Sequence, residues 1–457
     1  MGNNQSLPEL LARLGEERVE KVKLAIADVD GILRGKVVAY DKFAAIASTG
    51  FGFCDVVFGW DAEDRAYDNG SFTGWHTGYP DAMAVVDTTT MRRVPWEGGL
   101  PFFLADLKGA GVCPRSLLKR VIGQLGEAGY SAYFSQEFEW FNFVAPATAG
   151  AAPSGGGGWS FGDLKPMTHG MFGYSILRAS QKSDFFLDLF DSLKAFGVPL
   201  EGLHTETGPG VYEAAILYAD VLEAADRAVL FKTAVKEIAH RHGILPTFMA
   251  KLSPELPGCS GHVHQSLWTA DGSRNLFFDS GSPTRMSPLM ESYIAGQLYC
   301  LPYILPMMAP TVNSYKRLVE GAWAPTTLTW GIDNRTVALR ALPGGEKSTR
   351  LETRVVGSDT NPYLAMAACL AAGLYGVRNG MRLSTAATVG NGYADKGHGV
   401  LPRNLWEATQ MMKESPVAME LFGREFTDHF VRTREWEWRQ FGQAVTDWEL
   451  QRYFEII

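Results

Sequence analysis

Residues 136–140 read Gln136-Glu-Phe-Glu-Trp140. Side chains alternate along a β-strand, so Glu137 and Glu139 share one face while Phe138 and Trp140 take the other. The pattern predicts a strand, from Ser131 to Val144, with an aromatic back and two carboxylates looking into one space. Same-face neighbours sit about 6.5 Å apart, which suits two adjacent hard cations better than chelation of one. A solvated strand face would carry the same acids, but it poorly suits a strand so rich in aromatics.

Three further segments repeat the theme. In His204-Thr-Glu-Thr-Gly-Pro-Gly-Val-Tyr-Glu213, Glu206 precedes a glycine turn and Glu213 follows it, with Glu201 just upstream. Gly258-Cys-Ser-Gly-His-Val-His264 sets His262 and His264 on one strand face after a glycine-rich approach. A lone histidine is usually a satisfied core group; two together after a turn are more suspicious. Arg350-Leu-Glu-Thr-Arg354 aligns Arg350, Glu352 and Arg354. Arginines flanking a carboxylate make a structural ion pair or a metal ligand set among phosphate-binding groups. Oxygen-rich ligation without thiolate points to Mg²⁺ or Mn²⁺. Arg317, Arg335, Arg340, Arg350 and Arg354 follow in the same region, and metals with arginines imply a polyphosphate substrate. There is no G-x-x-x-x-G-K-[ST] loop and no kinase signature. Spacing alone reaches metal-dependent phosphoryl transfer.

The rest of the chain sets the frame. At 457 residues it has room for a small and a large domain. Its 46% hydrophobic and 20% charged residues are those of an ordinary globular protein. A net charge of −8 without long single-sign runs argues against nucleic acid or an anionic membrane as partner, and for small molecules. Five scattered cysteines, none in C-x-x-C, suit a reducing cytoplasm. The first hundred residues read as strands and turns, with a hairpin at Asp30-Gly31 between Lys23–Val29 and Ile32–Ala39, and form a small β-rich domain over 1–108. Helices and strands then alternate through 109–457, with helices expected at Pro114 to Gly129, Ser183 to Phe196, Ala219 to His242 and Pro362 to Val377. Ala145 to Gly158 is expected as a flexible loop. The start, Met1 to Ser6, formally matches a myristoylation pattern, a match given little weight.

Taken in order, these segments resemble the glutamine synthetase family from about Val22 onward. The motifs that carry the resemblance are E-x-E, E-x(6)-E across a glycine turn, G-x-S-G-H-x-H, N-S-Y-K-R, D-N-R-T-x-x-x-R and R-x-E-x-R followed by N-P-Y. The resemblance implies an α+β fold: a small β-grasp-like N-terminal domain and a large catalytic domain with an antiparallel β funnel flanked by helices. It also implies a homo-oligomer, a double ring of ten or twelve subunits with shared sites. By motif, Glu139, Glu206 and Glu213 would hold one metal and Glu137, His262 and Glu352 a second, with two or three Mg²⁺ or Mn²⁺ ions per site. Arg335 and Arg340 would stabilise the transferring phosphoryl group. Arg317 and Arg354, with Gly258, would bind L-glutamate, and Glu201, His264, Ser266, Arg335, Lys347 and Arg350 would contact ATP. The family activates the glutamate side-chain carboxylate as γ-glutamyl phosphate, which an amine then attacks.

Two departures redirect the expected substrate. Where glutamine synthetases read Pro-Gly-Tyr/Phe-Glu-Ala-Pro, this chain reads Glu320-Gly-Ala-Trp-Ala-Pro325, placing Trp323 at the proton-accepting glutamate. An indole cannot accept a proton and offers an apolar face instead. The Asp-Gly-Ser-Ser segment that supplies an ammonium-binding aspartate has no match between Asp61 and Tyr79. Activation of glutamate should survive while ammonium capture does not, so the expected acceptor is a larger primary amine, apolar alkyl or aromatic such as aniline. Glu320, close to the altered position, is the alternative proton acceptor. An ammonia-using glutamine synthetase, a catalytically silent relative and a two-metal phosphohydrolase are the competing readings.

Overall fold

A computed structural model describes residues 6–145 and 164–457. The myristoylation pattern at Met1 to Ser6, except Ser6, and the expected loop beyond Ala145 lie outside the described residues.

The first sheet contains β1 (Lys21–Ala27), β2 (Leu33–Ala39), β3 (Phe51–Cys54), β4 (Asp81–Val94) and β5 (Leu100–Leu107), in the order β2-β1-β5-β4-β3. The hairpin at Asp30-Gly31 joins β1 to β2 antiparallel, while β1 and β5 pair parallel in the middle. Two helices stand where the sequence reads as strands and turns: Leu7–Glu16 and Tyr40–Ile46. The first has a local cause. Ser6 and Glu9 form a capping box, the Ser6 N–H donating to Glu9 Oε2 at 2.8 Å, and Leu10 and Leu14 bury one face four residues apart.

The second sheet contains β6 (Tyr130–Val144), β7 (Leu200–Thr205), β8 (Val211–Ile216), β9 (Ala219–Asp220), β10 (Ile244–Thr247), β11 (Val263–Thr269), β12 (Trp330–Ile332), β13 (Leu339–Leu342) and β14 (Arg350–Thr353). Its main path runs β12-β13-β14-β11-β6-β8-β7, with β9 and β10 also on β6. The expected antiparallel order holds except between β12 and β13, which pair parallel over three residues. The turn Asp333 to Ala338 between them carries the D-N-R-T motif rather than a tight hairpin, and so returns the chain in the same direction.

Helices pack behind β6. Phe138 and Trp140 are fully buried, and Phe231 of the helix Val221–Arg241 contacts both rings at 5.6 Å between centroids. The apolar helix Pro362–Arg378 is capped by Asn361 and buried almost throughout. No helix among the described residues is long and apolar enough to cross a membrane. Arg115 ties the first sheet to the helix Val221–Arg241: it donates to both oxygens of Asp226 at 2.8 Å and reaches Asp87 and Asp106 at 2.9 Å.

Candidate active site

Strand β6 lies between β8 and β11, and its acidic face is the centre of the site. Glu139 is register partner of Glu213 on β8, and the backbone N–H of Glu137 donates to the carbonyl of His262. The glycine turn works as the sequence suggests. Gly210 adopts φ +73°, and a Cβ there would meet the Asn142 carbonyl oxygen at 2.4 Å, so only glycine lets β8 fold back along β6.

Glu137, Glu139, Glu206, Glu213 and His262 line a cavity of about 420 Å³. Its other wall carries Arg317, Arg335 and Arg354, and Tyr174 and Trp323 also border it. Gly258 borders the same space; a Cβ there would meet Arg317 Cγ at 2.7 Å. Arg317 is buried, donating to the carbonyls of Val355 and Arg354 at 3.1 and 3.0 Å. Burial pushes its guanidinium down, against the pull of Glu139.

A second cavity, about 350 Å³, gathers Glu201, His264, Ser266, Lys347 and Arg350. Tyr133, Tyr218 and Trp268 supply aromatic faces there, and Glu137 borders both cavities. Arg350 Nε donates to His264 Nδ1 at 3.2 Å, and Trp268 Nε1 to Ser266 Oγ at 2.9 Å. Five residues scattered over 150 positions thus share one pocket next to the acids.

The charges are strongly coupled. Glu213 is pushed up to about 11, first by burial and then by Glu137, Glu139 and Glu206. Burial acts on Glu352 in the same direction, but Arg354 and the histidines overcome it and hold the carboxyl down to about 2. Glu137 is likewise held well below the usual carboxylate range, against burial, by His264 and His262. His262 Nδ1 stands 3.1 Å from Glu137 and 3.3 Å from Glu352.

Among the described residues, two donor groups come within metal-ligating distance: Glu137, His264 and Glu352, and His204, Glu206 and Glu213, each set within 4.8 Å. The buried Nε2 of His262 and Nδ1 of His204 have no hydrogen-bond partner. A set of half-buried carboxylates around the buried Glu352, with imidazole nitrogens left over, fits hard divalent cations.

Some expected residues are placed differently. Arg335 lines the acid cavity, not the second one where a nucleotide role would put it. Arg340 lines neither; its guanidinium donates to Glu352 at 2.8 Å and to Asp333 at 2.5 Å. Glu320 stands outside, exposed and paired with Lys396 at 2.8 Å. The reason is the bend at Gly321, φ +80°, after which Ala322 and Trp323 border the cavity instead. His204 and Tyr174 are additional. His204 faces Glu213 in the β7–β8 register, and its place two residues before Glu206 is the same alternation that picks out Glu137 and Glu139. Tyr174 sits edge-on to the His204 ring at 4.5 Å with φ +55°, and no sequence signal marks it.

Comparison with known proteins gives the family. Residues 111–453 match the family described as glutamine synthetase, catalytic domain. The chain is 52% identical over 444 residues to "Type-1 glutamine synthetase 2" of Dictyostelium discoideum, covering 95% of this chain and 84% of that protein. It is 34% identical to "Glutamate--isopropylamine ligase" of Pseudomonas sp, covering 100% and 99%. Among solved structures, an ADP complex of GmaS superposes with a TM-score of 0.81 at 28% identity, covering 97% and 99%. The chain therefore belongs to the glutamine synthetase family and is a ligase of that family.

Proposed function

We propose that the chain joins the γ-carboxylate of L-glutamate to a primary amine larger than ammonia, with ATP converted to ADP and phosphate. The observation that carries this reading is the Trp323 loop: an indole borders the acid cavity where the family places a glutamate, and Glu320 is turned out to Lys396. An apolar face there favours an alkyl or aromatic amine over a hydrated ammonium ion.

The residues divide the work as follows. Glu139, Glu206 and Glu213 would hold one divalent cation and Glu137, His262 and Glu352 another, with two or three Mg²⁺ or Mn²⁺ ions in all. A divalent cation held by these residues would supply charge neutralisation for phosphate and carboxylate oxygens. Tyr133, Tyr218 and Trp268 supply stacking faces for a nucleotide base, and Lys347, Arg350 and His264 face its polar groups. Arg317 and Arg354 bind the carboxylate end of glutamate. A γ-carboxylate oxygen attacks the γ-phosphorus and ADP leaves, with Arg335 countering the charge on the transferring group and Arg340 holding Glu352 in place. The amine nitrogen then attacks the acyl carbon, phosphate leaves, and the nitrogen loses one proton. Trp323 excludes water from this step and takes no part in proton transfer.

The protein is proposed to act in the cytoplasm as a ring-forming homo-oligomer, with the chain dividing at Lys108 into an N-terminal and a catalytic domain. Ammonia-dependent glutamine synthesis is the second reading, favoured by the name of the 52% identical relative. The intact donor set weighs against a silent relative. The deciding experiment measures phosphate release with ATP, Mg²⁺ and L-glutamate across ammonia, alkylamines, ethanolamine, diamines, polyamines and anilines, with product masses. Selective amide formation with an organic amine is expected; preference for ammonia would establish the second reading.

A further inference from the structure

The helix Val221–Arg241 presents Leu230, Thr233, Ala234 and Glu237, at i, i+3, i+4 and i+7, to the first sheet. Between this helix face and β1–β2 lies a cavity of about 400 Å³ that shares no residue with the acid cavity. Its floor is hollow for a local reason. Ala25 on β1 is register partner of Gly35 on β2, and a Cβ on Gly35 would meet the Leu24 carbonyl oxygen at 2.0 Å, so no side chain can fill the space there. Phe102, Phe196, Leu230 and Ala234 complete buried apolar walls.

The rim is acidic and aromatic. Glu237 is half-buried, and its Oε2 accepts from Trp96 Nε1 at 2.8 Å. Of the two lysines at the cavity, Lys23 pairs with Glu97 and Lys36 lies over the rings of Phe51 and Phe53. Glu237 makes no ion pair among the described residues, with Lys23 already taken by Glu97. Trp96 sits edge-on to Phe196 at 5.1 Å between centroids, and Phe196 to Phe102 at 6.0 Å. A carboxylate without a counter-charge at the lip of an apolar cavity, beside aromatic rings, has the chemistry that recognises an organic ammonium ion. An anion would be repelled by Glu237, and a neutral apolar molecule would cover the carboxylate without pairing it.

We propose that this cavity is a second amine site: a primary ammonium with an alkyl or aryl body binds there, its N–H groups donating to Glu237 and Thr233 and its body filling the hollow over Ala25 and Gly35. The volume falls in the usual range of small-molecule sites, roughly 300–1,000 Å³. Binding there needs neither ATP nor L-glutamate, so the proposal stands or falls separately from the ligase reading. Phe231, next to Leu230, packs on Phe138 and Trp140 behind the acidic face of β6. An occupant therefore braces one helix between the two sheets and should raise the melting temperature.

The test titrates benzylammonium chloride, benzyl alcohol and phenylacetate into the full-length protein by calorimetry, without ATP or L-glutamate. Mg²⁺ is present so that the carboxylates of the acid cavity are occupied. Benzylammonium should bind once per chain and raise the melting temperature, and the neutral and anionic analogues should bind at least about tenfold more weakly, the weight of one charge-assisted hydrogen bond. Glu237→Gln, whose amide oxygen can still accept from Trp96, should weaken benzylammonium at least about tenfold and leave the melting temperature without ligand unchanged. Ala234→Phe, which fills the hollow, should abolish binding. If that variant does not fold, Glu237→Gln decides alone, because the exchange is isosteric. Benzylammonium binding that survives Glu237→Gln unchanged belongs to the acid cavity and overturns the proposal. Phenylacetate binding as tightly as benzylammonium, or no binding of benzylammonium to the unmodified protein, overturns it as well.

Discussion

Glu139 and Glu213 are direct register partners across the β6–β8 ladder. Like charges directly opposite each other on neighbouring strands destabilise a sheet. Here one Glu139 oxygen is satisfied by the Ser260 N–H at 2.7 Å, while burial and the surrounding acids push Glu213 far up. The fold keeps a repulsion that a divalent cation removes. Adding Mg²⁺ or Mn²⁺ after chelation should therefore raise the melting temperature, by about 2.7 kcal/mol of stability at a hundredfold excess over Kd. Glu213→Gln, which removes the repulsion, should melt higher than the unmodified protein without metal and gain much less on metal addition, as read by thermal melts with and without EDTA.

Glu352 is fully buried between Arg340 and Arg354. Arg340→Ala should lower kcat for glutamate-dependent phosphate release by about 10–100-fold, the usual weight of a group that orients a metal ligand. Glu352→Gln should lose activity at least as far and bind Mn²⁺ more weakly, measurable by titration of the metal.

The Trp323 loop separates stability from selectivity. Trp323→Gly relieves the positive φ and should stabilise the protein by about 1 kcal/mol while weakening discrimination between organic amines and water. Trp323→Glu should instead shift preference toward ammonia, with the ratio of kcat/KM values for ammonia and the organic amine rising at least about tenfold. If the Glu variant leaves that ratio unchanged, the indole does not set acceptor choice.

His429 predicts a pH effect away from the site. Both ring nitrogens are buried without partners, and burial, reinforced by Arg434, pushes the imidazole down to about 4. The unfolded chain, with an ordinary histidine pKa, takes up the proton first as pH falls. Stability is thus fully present above about pH 6.5 and is lost as pH falls toward 4, by roughly 3 kcal/mol in all. His429→Phe, matching the edge-on contact with Phe72 at 6.1 Å, should flatten this dependence in denaturation curves at pH 7.5 and 5.

Arg115 is buried with its guanidinium on Asp226 and Asp106, and Asp226 also accepts from Tyr363 at 2.6 Å. Arg115→Ala leaves buried carboxylates unpaired and should cost about 3–5 kcal/mol. Equilibrium denaturation would check this; a loss under 1 kcal/mol would mean that water replaces the guanidinium.

Much of this was legible in the chain because alternation along a strand is local. Glu137 with Glu139, and His262 beside His264, share faces for reasons contained within three residues. The helix Leu7–Glu16 has an equally local signal in Ser6, Glu9 and the Leu10 and Leu14 spacing, although the first hundred residues read as strands and turns. His204 obeys the same spacing rule, two residues before Glu206. The parallel pairing of β12 with β13 and the outward course of Glu320 had no such signal, since each depends on backbone angles in a turn rather than on side-chain order.

The sequence by itself determined the family, the donor types and the aromatic substitution at Trp323, because motif order and residue chemistry are properties of the chain. Only the tertiary structure decided which charges meet. His262 reaches Glu137 across 125 positions, and Arg340 takes Glu352 instead of open cavity. Such encounters depend on strand register and turn geometry, which bring distant residues within ångströms. At that range burial and Coulomb forces, rather than residue identity, set how each group behaves.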